Sequence, residues 1–303
     1  MSDTSAIRQF SDSTDALRLK RRAQNLRIVG RISSHTVLLL CLAVVLTPFV
    51  WMLATSLKPE REAYLIPPQL FPSRFLWQNY YDALFKYYDF FLYTKNTLII
   101  TISVLVGRLL SASLVAFAFA RLRFYGRDIL FFIVLSTMMI PSQVTIIPLY
   151  IIFTKLKWID TYLPLTVPAW FGGGAFFIFL LRQFMMTINP EMDDAARIDG
   201  CSFLGVFWRI ILPLIKPALV TVAIFSFMFA WNDFLGPVIF LRSLEKQTLA
   251  VGIHFVNATA SPARRPVITV VMAVSTLMII PPTLVFFALQ RYFIQGVVVT
   301  GIK

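Results

Sequence analysis

The sequence predicts an all-α integral membrane protein with six transmembrane helices and both termini in the cytoplasm. Of its 303 residues 58% are hydrophobic and 14% charged, and the mean hydropathy is +0.74, too apolar for one soluble domain. Six apolar runs are long enough to cross a hydrocarbon core of about 30 Å: Thr36–Leu57, Asn96–Ala120, Ile129–Thr154, Leu163–Leu181, Ala218–Leu241 and Val267–Gln290. The basic residues sit at the ends of these runs and in short connections. The formal charge of +13 therefore signals topology and not a nucleic-acid surface.

Residues 1–31 are polar, carry seven Lys or Arg, and are expected to be a flexible cytoplasmic tail. The uncharged run that follows is longer than a signal-peptide core and lacks a small-residue cleavage site, so residues 32–57 form a retained first span. With an inside amino terminus, the inner side collects sixteen Lys or Arg and the outer side eleven. Arg121, Arg123 and Arg127 in one tight inner turn are the stronger local sign.

The external segment 58–95 is dense in aromatics, among them Phe71, Trp77, Tyr80, Tyr81, Tyr88 and Tyr93. They suit an interfacial segment anchored at headgroup level, or stacking platforms for sugar rings. Residues 96–290 are read as a five-helix core, and 291–303 as a cytoplasmic tail.

Two charges lie at membrane depth. Arg108 is about 18 Å above the inner end of the second span and Asp233 about 24 Å above that of the fifth, at 1.5 Å per residue. Each is costly against lipid and must face the interior, and their depths allow a pair. Trp231, Asn232 and Asp233 together need hydrogen-bond partners. They are either polar glue between helices or the lining of a hydrated path for a hydroxyl-rich solute.

The loop 189–217 separates the fourth and fifth spans. Asn189 suits a helix cap, Pro190 its first position, Glu191, Asp193 and Asp194 its positive end, and Gly200 its termination. At 100° per residue Met192, Ala195, Ala196 and Ile198 share one side, while Asp193, Asp194 and Arg197 share the other, with Asp193 and Arg197 spaced to pair. Such a helix docks into a partner's groove or packs on its own bundle.

Asp194, Ala195, Ala196, Gly200, Ile210, Leu212 and Pro213 resemble the EAA loop of permease subunits of ATP-binding-cassette importers, with aspartate in place of the usual glutamate. AARIDG resembles the carbohydrate-uptake branch, with the shorter permease of the maltose system similar in build. WNDF (residues 231–234), AFARLRFYGR (118–127), TLAVGI (248–253) and QRYFIQG (290–296) agree along the chain. The resemblance implies a binding-protein-dependent, methionine-importer-like permease fold in a bacterial or archaeal inner membrane. It further implies a second related permease, two ATPase subunits carrying ATP and Mg, an external solute-binding protein, and a sugar or polyol as solute. Under it Asp194, Ala195, Ala196, Arg197 and Gly200 couple to the ATPase, and Trp231, Asn232 and Asp233 line the path.

No cofactor is expected in this chain. The ending GVVVTGIK has Ile302 where a phosphate-binding loop needs lysine. His254 has no second ligand at metal spacing, and Gly172–Gly174 at membrane depth suits close packing or a helix break. Cys41 and Cys201 make no disulfide framework. An ion-gradient carrier or channel is the alternative, but more intramembrane titratable groups and an inverted repeat would be expected of it.

Overall fold

Pro141, Gly172–Gly174 and the stretch 232–234 divide what the hydropathy pattern presents as uninterrupted runs. The computed structural model describes the backbone of residues 3–259 and 267–299 and the side chains of 29–254 and 267–291. Among the described residues there is no strand. Four helical stretches are long and apolar enough to cross a membrane: Val29–Ser56, Phe90–Arg121, Leu163–Met186 and Ile268–Arg291. Two bent pairs add a crossing each if each pair counts as one.

Helix α1 (Asp3–Ser56) is continuous, so the expected flexible tail is helical and runs into the first span. No proline lies before Pro48 to stop it. The segment after it folds back on the end of α1. Asn79, on α2 (Gln78–Phe85), donates to the carbonyls of Ser56 and Lys58, and the buried Lys58 ammonium donates to the Gln69 carbonyl and lies 4.4 Å from the Trp51 ring. Its aromatics divide: Phe71, Trp77 and Tyr81 are exposed, whereas Tyr88 and Tyr93 join a core cluster.

Helix α3 (Phe90–Arg121) is the central post. The expected third span is instead α4 (Arg127–Ser136), a 3₁₀ turn to Met139, and α5 (Ser142–Lys155), bent by 102°. Pro141 lacks an N–H and disfavours helical backbone at the residue before it, which explains the break. The fourth span begins as α6 (Leu163–Thr166) and a 3₁₀ turn (Val167–Trp170), then resumes as α7 (Ala175–Met186). Gly173, at φ +63°, lies against α3 so closely that a Cβ would sit 2.8 Å from the Ala112 Cβ. The glycines thus supply both a break and a close approach.

Beyond α8 (Glu191–Ile198) come α9 (Phe203–Val206), a π turn (Phe207–Ile211) and α10 (Leu212–Leu214). They meet α11 (Lys216–Trp231) at 78°. The expected continuous fifth span stops at Trp231 and resumes as α12 (Leu235–Phe240), so Asn232 and Asp233 lie in a gap between helices. The segment between the fifth and sixth apolar runs contains α13 (Leu249–Thr259). Helix α14 (Ile268–Val299) agrees with the sixth span.

Small residues set the packing. Ala112 and Ala116 of α3, Leu181 and Met185 of α7, and Ala218 and Val222 of α11 form the main core. In lipid, close contact of small side chains replaces the driving force that water supplies elsewhere.

Candidate functional site

Two places combine unusual chemistry with accessibility, at different heights along α3. The first is α8. The Asn189 side chain accepts from the Glu191 N–H (3.1 Å), as expected of a cap. At the other end the Cys201 N–H bonds the Ala196 carbonyl (2.9 Å) and the Gly200 N–H bonds that of Arg197 (3.0 Å), a Schellman ending. It requires φ +85° at Gly200, where a Cβ would meet nothing within 4 Å, so the need for glycine is conformational.

The covered side of α8 differs from the projected one. Ala196 is buried, and Asp193 turns inward to Arg121 at the end of α3, Nε to Oδ2 at 2.9 Å, with side-chain exposures of 8% and 14%. Arg121 also donates to the Ile188 carbonyl (2.9 Å). The expected Asp193–Arg197 pair is absent; the Arg197 guanidinium lies 4.5 Å from the Phe203 ring. Within a helix the i,i+4 pair gains a few tenths of a kcal/mol, and a largely buried guanidinium outcompetes it. Burial pushes the Asp193 carboxyl above its ordinary value against the pull of Arg121, and Asp194 adds to the rise.

Met192, Ala195 and Ile198 are consequently left outside, Ile198 at 87% exposure. Beside them Asp194, Arg197, Gly200 and Phe203 border an open groove of about 590 Å³. Of the five residues assigned to coupling, Asp194, Ala195, Arg197 and Gly200 are on the surface and Ala196 anchors from beneath. The sequence pattern gave no sign that Arg121 is the anchor, because residues 72 apart carry no shared periodicity.

The second place is the break at 232–234. Trp231 is 1% exposed, stacks on Phe227 and donates to the Met278 carbonyl of α14 (3.1 Å). It bridges α11 and α14, and is not among the residues lining either of the two cavities at the break, which Asn232 and Asp233 border. Asn232 donates to the Met228 carbonyl (2.8 Å) and borders an apolar groove with Met278 and Phe286. Asp233 points the other way, its Oδ1 accepting from the Gly236 N–H (3.1 Å).

Asp233 and Arg108 line one cavity of about 320 Å³, walled by Ile100, Val104, Leu165, Phe177, Phe229, Pro237 and Thr248. They share it without an ion pair; Arg108 lies instead over the Phe177 ring, 4.7 Å from its centre. Sequence reasoning reached both charges and missed Phe177 and Phe229, whose aromatic character is ordinary for a span, and Thr248, which lies between the fifth and sixth apolar runs. His254 meets Phe234 edge-on at 5.5 Å, and no group of three metal-ligating side chains occurs among the described residues.

An apolar helical bundle with broken spans, a charged internal cavity and one projecting amphipathic helix defines a membrane permease subunit. The chain belongs to the family of binding-protein-dependent transport system inner membrane components, whose model matches residues 108–299. It is similar to the sn-glycerol-3-phosphate transport system permease protein UgpE of Salmonella choleraesuis (strain SC-B67), 33% identical over 272 residues that cover 88% of this chain and 95% of that protein. The UgpE of Escherichia coli O1:K1 / APEC is 32% identical over the same coverage. Among solved structures, a bacterial ABC transporter involved in the import of the acidic polysaccharide alginate superposes with a TM-score of 0.76 at 26% identity, covering 88% of this chain and 97% of that one. A bacterial alginate ABC transporter in complex with its alginate pentasaccharide-bound periplasmic protein shares the fold, with a TM-score of 0.60 at 16% identity, covering 88% and 95%. The chain is a multi-pass ABC permease of the carbohydrate-uptake kind.

Proposed function

We propose that this chain is one of two related permeases of a bacterial inner-membrane importer, and that α8 is the lever through which a separate ATPase drives it. The exposed Met192–Ala195–Ile198 face, held to the central post by Arg121–Asp193, carries the reading. Apolar side chains on a projecting helix favour a protein groove over water. The anchor beneath passes its displacement to α3. Two ATPase subunits hold ATP and Mg, and an external solute-binding protein delivers a sugar or polyol. ATP must favour one global state of the assembly over the other, since only differential affinity shifts the equilibrium.

Six crossings with both termini in the cytoplasm fit the contacts at the two ends of α3. Asn96 near one end bonds the carbonyls of Glu245 and Gln247, and Asp160 near that side bonds Arg242, Ser243 and Lys246. Arg121 at the other end holds Ile188 and Asp193.

The relatives favour an anionic, hydroxyl-rich solute, since one is named for glycerol 3-phosphate and another for an acidic polysaccharide. Labelling of Asp199→Cys from each side of the membrane tests the arrangement, together with ATPase co-purification. Inside labelling and stoichiometric capture are expected; outside labelling or a permease that imports without an ATPase overturns it.

A further inference from the structure

Arg108 is the nineteenth residue of the 32-residue α3, near mid-membrane if that helix spans. A cation there is costly unless something offsets it. Within the chain little does. Its Nε is buried without a hydrogen-bond partner, and the Asp233 carboxylate across the same cavity is engaged by the Gly236 N–H instead. The Phe177 ring face supplies one weak partner at 4.7 Å. A second polar atom in the same wall, the Thr248 Oγ1, is also buried and unbonded. Arg108 and Thr248, each with a buried unbonded polar atom, thus line one cavity together with Asp233 and two aromatic walls, Phe177 and Phe229, a lining suited to a polar ligand.

We infer that Arg108 is the specificity-determining residue of the translocation path and binds an oxyanion, carboxylate or phosphate, carried on a hydroxyl-rich solute. This rests on the transport reading above and adds the solute's charge and the side chain that reads it. A guanidinium presents paired N–H donors that match either oxyanion, which an ammonium or amide does not. Thr248 and Asp233 are complementary to hydroxyls: Thr248 donates or accepts, and Asp233 accepts. The anionic end of the solute is therefore directed to α3 and its hydroxyls to the start of α12. At about 320 Å³ the cavity is at the small end of ligand pockets and holds one end of a solute at a time.

The test uses the complete importer with its binding protein in proteoliposomes, comparing wild type, Arg108→Gln and Arg108→Lys. Glycerol 3-phosphate and an alginate trisaccharide provide the phosphate and carboxylate arms; glycerol and maltotriose are their neutral counterparts. Wild type should import at least one anionic probe. Arg108→Gln should lower that import about 30- to 100-fold, the loss of a charge-assisted hydrogen-bonded pair, in a complex that still assembles. Arg108→Lys should retain part of it. The arm that responds identifies the oxyanion. Equal import of the anionic probe by wild type and Arg108→Gln overturns the proposal. So does an equal loss of neutral and anionic import that Arg108→Asp with Asp233→Arg restores, which would make Arg108 a structural partner of Asp233. Neutral import alone by wild type overturns this inference and leaves the transport reading standing; no import of any probe counts against both.

Discussion

The projecting helix α8 and the cavity beside the 232–234 break are opposites in what they leave unsatisfied. Around α8 most polar groups find partners inside the chain: Asn189 caps, Asp193 forms an ion pair with Arg121 although Asp193 Oδ1 and Arg121 Nε make no hydrogen bond, and the last carbonyls close on Gly200 and Cys201. What faces outward includes the apolar Met192 and Ile198, beside the charged Asp194 and Arg197. At the break the apolar groups are spent instead, with Trp231 sealed against α14, and what remains is polar: Arg108 Nε and Thr248 Oγ1. Leftover apolar surface in water asks for a protein, whereas leftover polarity within a bundle asks for a polar solute. The proposed coupling surface and the proposed solute site rest on this contrast.

The largest effect expected is at the sealed side of the break. Trp231→Ala removes a fully buried indole and should cost about 3–5 kcal/mol of stability, seen as a lower melting temperature of the purified complex. Trp231→Phe keeps the stacking, loses the bond to Met278, and should cost about 1 kcal/mol. If both variants kept wild-type stability and lost import, Trp231 would belong to the path and the contrast would blur.

Next is the anchor of α8. Arg121→Gln leaves Asp193 largely buried without its counter-charge, a change that costs up to about 3 kcal/mol for pairs this covered. Its pH dependence has a definite sign. The folded carboxyl lies above its ordinary 3.8, so protonation favours the docked helix: the contribution is full below 3.8 and is lost as pH rises through the raised value. Arg121 opposes that loss. Protection factors in α8 of Arg121→Gln, taken relative to the intrinsic exchange rate at each pH, should therefore be low at neutral pH and rise on acidification, more steeply than in wild type; a pH-independent protection factor would remove Asp193 from the anchor.

Gly200→Asp is smaller in stability, about 1–2 kcal/mol for a side chain forced to positive φ, and local to α8. It should leave insertion intact and lower solute-stimulated ATPase activity, and an unaffected rate would speak against a coupling role. The smallest effect is expected at Asp160, whose carboxyl is held well below the usual range by the Ser243 hydroxyl and N–H, with help from Arg242 and Lys246. A lowered value stabilises above 3.8 and the gain is lost as pH falls below it, so Asp160→Asn should matter at neutral pH and become indistinguishable from wild type in acid.

The positions of the apolar runs and both ends of α8 were legible because hydropathy and cap chemistry are local. The breaks were legible in part: Gly172–Gly174 signalled one, while Pro141 and the polar Asn232 and Asp233 marked unusual positions without showing that the helix stops there. Which side of α8 is covered was not legible, since projection at 100° orders residues around a helix without saying where α3 stands. The same limit hid Thr248 from Arg108, 140 positions apart and adjacent only after α3 and the segment beyond α12 are packed.

The central claim is that the free face of α8 is what an ATPase holds. Ile198→Asp alters a side chain that is 87% exposed and should leave the permease folded and inserted. Affinity purification of the complex in detergent, with the ATPase quantified per permease, is predicted to give stoichiometric ATPase for wild type and little for Ile198→Asp. Equal ATPase recovery from both would contradict the account.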